Sequence, residues 1–302
     1  MQPNKIKSWI VAARLRTLPL AFTGPVTGSC MAYSSHNFRW SVAIGSLVTT
    51  LLLQVLSNFA NDYGDFVKGT DQNRKGPTRA LQSNLVTVTQ MKYAILTVSV
   101  LALLSGGLLV FLFANHLPML IRLLFFGVGL MAIYAAVKYT VGEKPYGYQG
   151  WGDAIVFLFF GLVSTVGTFV LHTGTFTSAI LFPAISMGLL STAVLNVNNI
   201  RDYNEDLQHN KRTIAVILGL QKARWYHLLL VSTAWISLFI APVLHYRGIG
   251  QFAFVITLPL FAKGILQIFY SSDAHKLNAE LKRLAFSTFL LALLWSFGQV
   301  IG

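Results

Sequence analysis

An all-α bundle of about nine membrane-spanning helices is the fold this sequence predicts, and three observations carry that expectation. The first is composition: of 302 residues, 54% are hydrophobic and only 11% charged, against about a quarter charged in soluble domains. The second is the recurrence of apolar runs close to the roughly 20 residues needed to cross a bilayer. The third is charge placement, because most basic residues fall on one side of those runs.

The chain opens with "NKIKSWIVAARLRTLPL", in which Ile6, Trp9, Ile10 and Ala13 recur at helical spacing. With Lys5, Lys7, Arg14 and Arg16 turned to lipid headgroups, residues 1–16 read as an interfacial helix rather than a cleaved signal peptide. Spans are predicted at about 17–35, 40–60, 92–114, 119–138, 153–173, 176–199, 226–245, 250–270 and 284–301. One integral-membrane domain over 1–302 follows. Nine spans put the N-terminus and the loops after the second, fourth, sixth and eighth spans on one side. That side carries 19 of the 23 basic residues, and only Arg39, Arg122 and Arg247 lie opposite, with Lys263 inside a span. The bias orients the basic face to the cytoplasm of a cell membrane. It also accounts for the net charge of +13 without a nucleic-acid partner. Cys30, the one cysteine, excludes an intrachain disulfide.

All ten acidic residues share the basic face, although acids contribute little to orientation. In "SNFANDYGDFVKGTD" (57–71), Asn58, Asp62 and Asp65 step by four and then three, which puts them on one helical face. Gly64 and Gly69 are expected to loosen this helix and leave Asp71 beyond its end. In "NVNNIRDYNEDLQHNKRT" (196–213), Asn198, Asp202 and Asp206 step by four and four, flanked by Asn199 and Glu205. Like charges at that spacing repel unless a cation joins them, and acids at membrane depth are costly and functional. Hard oxygen ligands suit Mg²⁺ shared with a phosphate. Lys68, Arg74 and Arg79 follow the first cluster, and Arg201, Lys211 and Arg212 surround the second. Acid for metal beside base for phosphate points to a metal-bridged polyphosphate; the competing reading is solvated loop charge. No GxxxxGK loop is present, so ATP use is unsupported. His36, His116, His172 and His245 read as interfacial side chains with no zinc spacing. Lys263 reads as snorkelling or a slipped boundary. An ion-coupled transporter is the distant alternative, but it would hold its acids near the bilayer midplane rather than at span ends.

"NDYGD", and "NNIRDYNED" followed by "KRT", resemble the two Asp-rich motifs of the UbiA superfamily of intramembrane aromatic prenyltransferases. "AARLRTLPLAFTGPVTGS" (12–29), "GPTRALQS" (76–83), "YTVGEKPYGYQGWGDAIVFLFFG" (139–161) and "NNIRDYNEDLQHNKRTIAVILG" (198–219) are similar to its dihydroxynaphthoate branch. Asp71 stands two residues past the superfamily's usual position, Gly69, as it does in that branch. Asn84 and Asn210 replace expected glycines, a mild change because Asn tolerates the left-handed conformation. The resemblance implies a bundle around a central cavity, capped by cytoplasmic loops and open sideways to lipid. It implies a polyprenyl diphosphate donor and 1,4-dihydroxy-2-naphthoate as acceptor, which loses its carboxylate to give a demethylmenaquinone. The runner-up is a sister enzyme acting on 4-hydroxybenzoate or homogentisate. It also implies two Mg²⁺ ions on Asp62, Asp65, Asp202 and Asp206, with Asn58 and Asn198 completing or orienting the shell. Lys68, Arg79, Arg201 and Lys211 would bind diphosphate. Tyr139, Lys144, Tyr146, Tyr148, Asp153 and Arg16 are acceptor candidates. The competing readings are an interface belt for the tyrosine-rich loop and lipid contact for the arginines, Arg14 above all.

Overall fold

The computed structural model describes residues 5–70, 78–244 and 246–301; Asp71, Arg74, Lys75, His245 and the first residues of the 76–83 motif lie outside them. Among the described residues the regular structure is entirely helical, as a hydrocarbon solvent demands of a backbone that must satisfy its own amides. Helix α1 is Lys5–Ala13. Arg14, in left-handed conformation, and a 3₁₀ turn at Leu15–Thr17 swing the chain into α2, Leu18–Ser34. Then come α3 (Trp40–Val67), α4 (Val88–Phe113), α5 (Met119–Lys138), α6 (Gly152–Thr173) and α7 (Ser178–Arg201). The short α8 (Tyr203–Gln208) and α9 (Ile214–Leu218) cap the inner face. The chain ends with α10 (Leu220–Leu244), α11 (Ile249–Tyr270) and α12 (Ala274–Ile301). Eight of these segments are long and apolar enough to span a membrane. Helix α2, with 17 residues and Pro25 inside it, makes the ninth at the lower limit of spanning length.

Of the eight, α7 is the most buried and α5 and α4 the least. Helix α7 packs against α6, α10 and α12, while α2 packs against α12, α3 and α6. Leu96, Leu104, Leu120 and Leu124 on α4 and α5 are exposed, the surface expected of helices that face lipid. Small residues let α6 and α7 touch by backbone: a Cβ on Gly161 would sit 2.6 Å from Gly188 Cα and 2.7 Å from Ala184 O.

Several boundaries depart from expectation at the inner ends. Helix α3 runs to residue 67 rather than 60, and Gly64 does not loosen it. Gly64 lies against Thr140, where a Cβ would meet Thr140 atoms at 2.6–2.7 Å, so its role is close approach. Gly69, with φ 73°, does end the run. Helix α12 begins at residue 274 rather than 284, because its polar first turns find partners within the protein. Asn278 accepts from Arg16 at 2.9 Å, and Arg283 pairs with Glu280. Lys263 lies within α11 rather than at a slipped boundary; it is exposed, and its charge acts on Glu280. His172 is not interfacial but 1% exposed; it accepts from the Arg39 amide at 3.0 Å and bonds Ser29 Oγ at 3.0 Å. On α1, Ile6 and Ile10 are exposed while Trp9 packs on Phe59 at 5.5 Å.

Gly161→Ala should therefore lower the thermal midpoint in detergent, by about 1–3 kcal/mol in stability. Gly127→Ala, where an added Cβ meets nothing within 4 Å, should leave it unchanged or raise it.

Candidate active site

A cavity of ≈ 240 Å³ runs between α2, α3, α5, α6 and α7. Its inner mouth carries Arg14, Asn58, Asn61, Asp65, Arg79, Asn198 and Lys211; its interior carries Leu53, Phe159, Phe160, Val163 and Val194. A second, apolar cavity of ≈ 100 Å³ shares Thr50, Leu53, Ala132, Val163 and Ser164 with the first and extends it between α3, α4, α5 and α6. The shared wall falls where α6 widens into π turns over Phe157–Val166, a distortion that recurs at functional sites.

Asp65 organises the mouth. Arg79 donates to its Oδ2 at 3.1 Å, Tyr148 Oη donates to its Oδ1 at 2.9 Å, and Lys211 Nζ lies 3.7 Å from Oδ1. Asn61, oriented so that its oxygen meets Arg14 Nη1 at 3.2 Å, donates to Asp65 Oδ2 at 2.8 Å. Lys211 also stands 3.5 Å from Asp206 Oδ1 and 5.1 Å from the Tyr148 ring centroid. One ammonium thus joins the two acidic motifs. Burial works to lower its pKa, but Asp65 and Asp206 hold it above the ordinary lysine value, so it stays charged. Lys68 lies over the same tyrosine ring at 5.3 Å. Asn84 and Asn210 stand at φ 53° and 52°, the conformation expected where they replace glycine.

The other acids take different partners. Asp62 is 1% exposed, accepts the Ala80 amide at 3.0 Å through Oδ2, and leaves Oδ1 buried with no hydrogen-bond partner. Asp202 sits at the break between α7 and α8, gripped by Arg201 through two contacts of 2.7 Å. Arg201 also donates to Asn198 Oδ1 at 2.6 Å. Asn58 donates to Ala13 O at 2.8 Å. Among the described residues no three acidic, His or Cys side chains form a closed metal cage. The expected ligands lie in two groups, Asp62 and Asp65 on α3 and Asp202 and Asp206 beyond α7, and their carboxylates are partnered by Ala80, Arg79, Arg201 and Lys211. Buried oxygens on two facing helix ends, one of them unpartnered, still fit hard cations that complete their shells with water and phosphate.

Four acceptor candidates do not line the cavity. Lys144 is exposed and does not line the cavity, because the loop's turn points it to solvent. Arg16 is tied to Asn278 instead. Tyr148 is committed to Asp65, and Asp153 lines a separate groove behind α6. Tyr139 and Tyr146 do line the cavity, edge-to-face at 5.4 Å, with Tyr146 Oη donating to Ala135 O at 2.8 Å. Burial raises the pKa of all three tyrosines, so they remain hydrogen-bond donors. Arg14, read as facing lipid headgroups, instead lines the cavity. Gln54 and Asn61 line it too; both continue the face of Asn58 and Asp65, a signal that four- and three-residue stepping already contained.

Burial pushes the Asp206 carboxyl up from 3.8 to about 7. Without metal, the folded protein holds a proton there that the unfolded chain has lost, so this group's contribution to stability declines as pH rises from about 4 to 7. A divalent cation needs the deprotonated form. Mg²⁺ affinity, read from thermal shifts at pH 6, 7 and 8, should rise through that range, and an affinity independent of pH would remove Asp206 from the ligand set.

The description "UbiA prenyltransferase family" matches residues 22–296. The chain is 40% identical to the 1,4-dihydroxy-2-naphthoate octaprenyltransferase of Haemophilus influenzae, over 99% of this chain and 97% of that protein. It is 38% identical to the enzyme of the same name from Escherichia coli, over 98% and 96%. Its fold matches a UbiA homolog from Archaeoglobus fulgidus bound to GPP and Mg²⁺, with a TM-score of 0.58 and 14% identity over 98% of this chain and 100% of that one. The helical bundle, its apolar spans and these similarities show that this chain is an integral membrane protein that belongs to the UbiA prenyltransferase family.

Proposed function

We propose that this chain transfers a polyprenyl group from a polyprenyl diphosphate to 1,4-dihydroxy-2-naphthoate, with loss of the ring carboxylate, to give the hydroquinone form of a demethylmenaquinone. The observation that carries the reading is the continuity of one cavity from a mouth holding Asp65, Arg14, Arg79 and Lys211 to a largely apolar interior. Similarity to two enzymes named for the naphthoate acceptor supports the choice of ring. The basic bias of the inner loops supports a mouth that faces the cytoplasm.

In this reading Asp62 and Asp65 hold one Mg²⁺, Asp202 and Asp206 a second, and Asn58 and Asn198 complete or orient the shells. Bound Mg²⁺ supplies Lewis-acid stabilisation to the diphosphate as a leaving group. Lys211 and Arg79, freed from the carboxylates, turn their charge to the diphosphate oxygens, with Lys68 and Arg201 at the rim. The donor's allylic C–O bond breaks, and its electron pair departs with the diphosphate. The ring carbon then attacks the allylic cation, and carbon dioxide leaves from that carbon. Tyr139 and Tyr146 form an aromatic wall for the ring, and Arg14 faces its carboxylate. Leu53, Phe159, Phe160 and Val163 exclude the water that would otherwise capture the cation.

Membranes containing the protein should convert labelled polyprenyl diphosphate and 1,4-dihydroxy-2-naphthoate to a prenylated lipid with Mg²⁺ and not with EDTA. Asp62→Asn and Asp202→Asn should each cost on the order of 10²-fold or more in kcat/KM while the protein stays in the membrane. Product with another phenolic acid only would discard the naphthoate assignment. Near-normal turnover in both variants would remove these residues from the metal sites.

A further inference from the structure

Helices α6 and α7 form a wall with a cavity on each side. Ile155, Val156 and Phe159 of α6, and Ser191, Val194 and Leu195 of α7, face the central cavity. Asp153, Ala154 and Phe157 of α6, and Leu189 and Thr192 of α7, face an outer groove of ≈ 540 Å³. The groove's sides are Trp151, Phe157, Ile214 and Ile217, and Asp153 and Tyr226 stand within it. Trp151 and Ile217 are 61% and 50% exposed, so the groove opens outward, near the inner end of the spans.

Asp153 is the unusual member. It is 6% exposed; Tyr226 shares a hydrogen bond with its carboxyl, while its Oδ2 has no hydrogen-bond partner. A buried acceptor left unmade is expensive, and each such group in a folded protein asks for an explanation. Helix α7 pins the backbone here, since Thr192 Oγ1 donates to Asp153 O at 3.4 Å and to Gly188 O at 2.9 Å. The backbone is therefore held in place, and Tyr226 holds the carboxyl within the groove. A ligand for this groove needs a hydrogen-bond donor for the carboxyl and an apolar body for the aromatic and aliphatic sides. It must also be neutral, because a carboxylate, diphosphate or phospholipid phosphate would bring like charge against Asp153.

We propose that this groove is a second site that binds the prenylated hydroquinone product, with one ring hydroxyl donating to Asp153 and the ring between Trp151 and Phe157. The inference rests on the proposed function, which explains why the groove separates product from substrates. Both substrates are anions; loss of the ring carboxylate leaves a neutral diol that still carries donors. The groove is also linked to the catalytic mouth. Ile214 and Ile217 belong to α9, which follows Lys211 and Arg212, and the Arg212 amide donates to Tyr148 O at 3.1 Å. Product in the groove thereby touches the segment that positions the bridging ammonium.

The test is direct binding to the resting protein in detergent. The probe is a 1,4-naphthohydroquinone with a two-isoprene tail, kept reduced, and the readout is Trp151 fluorescence, taken as the difference between wild type and Trp151→Phe. Saturable quenching is expected, about tenfold weaker in Asp153→Leu and likewise in Ala154→Phe, which fills the groove from an exposed position. Neither 1,4-dihydroxy-2-naphthoate nor the oxidised quinone should match the hydroquinone. Equal quenching by the naphthoate, or undiminished quenching in both variants, would overturn the site. Turnover takes no part in this measurement, so a failed transfer assay and a failed groove are separate results.

Discussion

The Lys211 ammonium lies between Asp65 at 3.7 Å and Asp206 at 3.5 Å, and the inner end of the molecule is arranged around it. Two carboxylates from different helix ends repel each other strongly where water is scarce. A buried charge left without its partner costs several kcal/mol. Lys211 removes both penalties at once and draws in Tyr148, Lys68 and Arg79 as a shell. Arg201 does the same for Asp202. The motifs thus carry their own counter-cations, and the buried carboxylates are paired within the fold.

The cavity divides its labour along its length. Charged groups are confined to the mouth, while the interior and its extension are lined by hydrocarbon, ring faces and a few hydroxyls such as Thr50 and Ser164. Close helix crossings make this possible, since Gly161 against Gly188 lets α6 and α7 seal the wall by backbone contact. The π turns of α6 carry Phe159 and Phe160 on the cavity side and Phe157 on the other. The same wall gives the molecule its outer groove, so one pair of helices presents two chemically different faces.

Much of this was legible in the sequence, for physical reasons that vary by element. The spans were readable because a bilayer imposes length and apolarity on every crossing helix. The 119–138 span matches α5 at both ends, since lipid surrounds it and nothing else specifies it. Inner ends were misjudged where polar residues continue a helix with partners that only folding supplies, as Asn278 and Glu280 do on α12. Asp62 and Asp65 were legible by periodicity, but their separate partners were not, because Ala80 and Arg79 arrive from a distant loop. Tyr139 and Tyr146 were placed correctly in the cavity, whereas Asp153 sits one wall away: a loop's composition tells which chemistry is near and not which side of a helix receives it. Arg14 was misread because basic residues near a membrane end usually meet lipid, and its left-handed backbone turns it inward instead.

Helix α3 has 28 residues, about 42 Å at 1.5 Å per residue, against a hydrocarbon core of about 30 Å. Set with its Trp40 end at the opposite boundary of the hydrocarbon, such a helix brings its last two turns, with Asp62 and Asp65, to the level of the lipid headgroups. A lipid diphosphate resting in the bilayer already holds its charged head at that height and its tail below it. It needs only to slide sideways into the cavity, with no change of depth. Lifting hydrocarbon out of the membrane costs about 0.8 kcal/mol for each methylene, a sum no binding site could recover for a long isoprenoid. The length of one helix spares the protein that work.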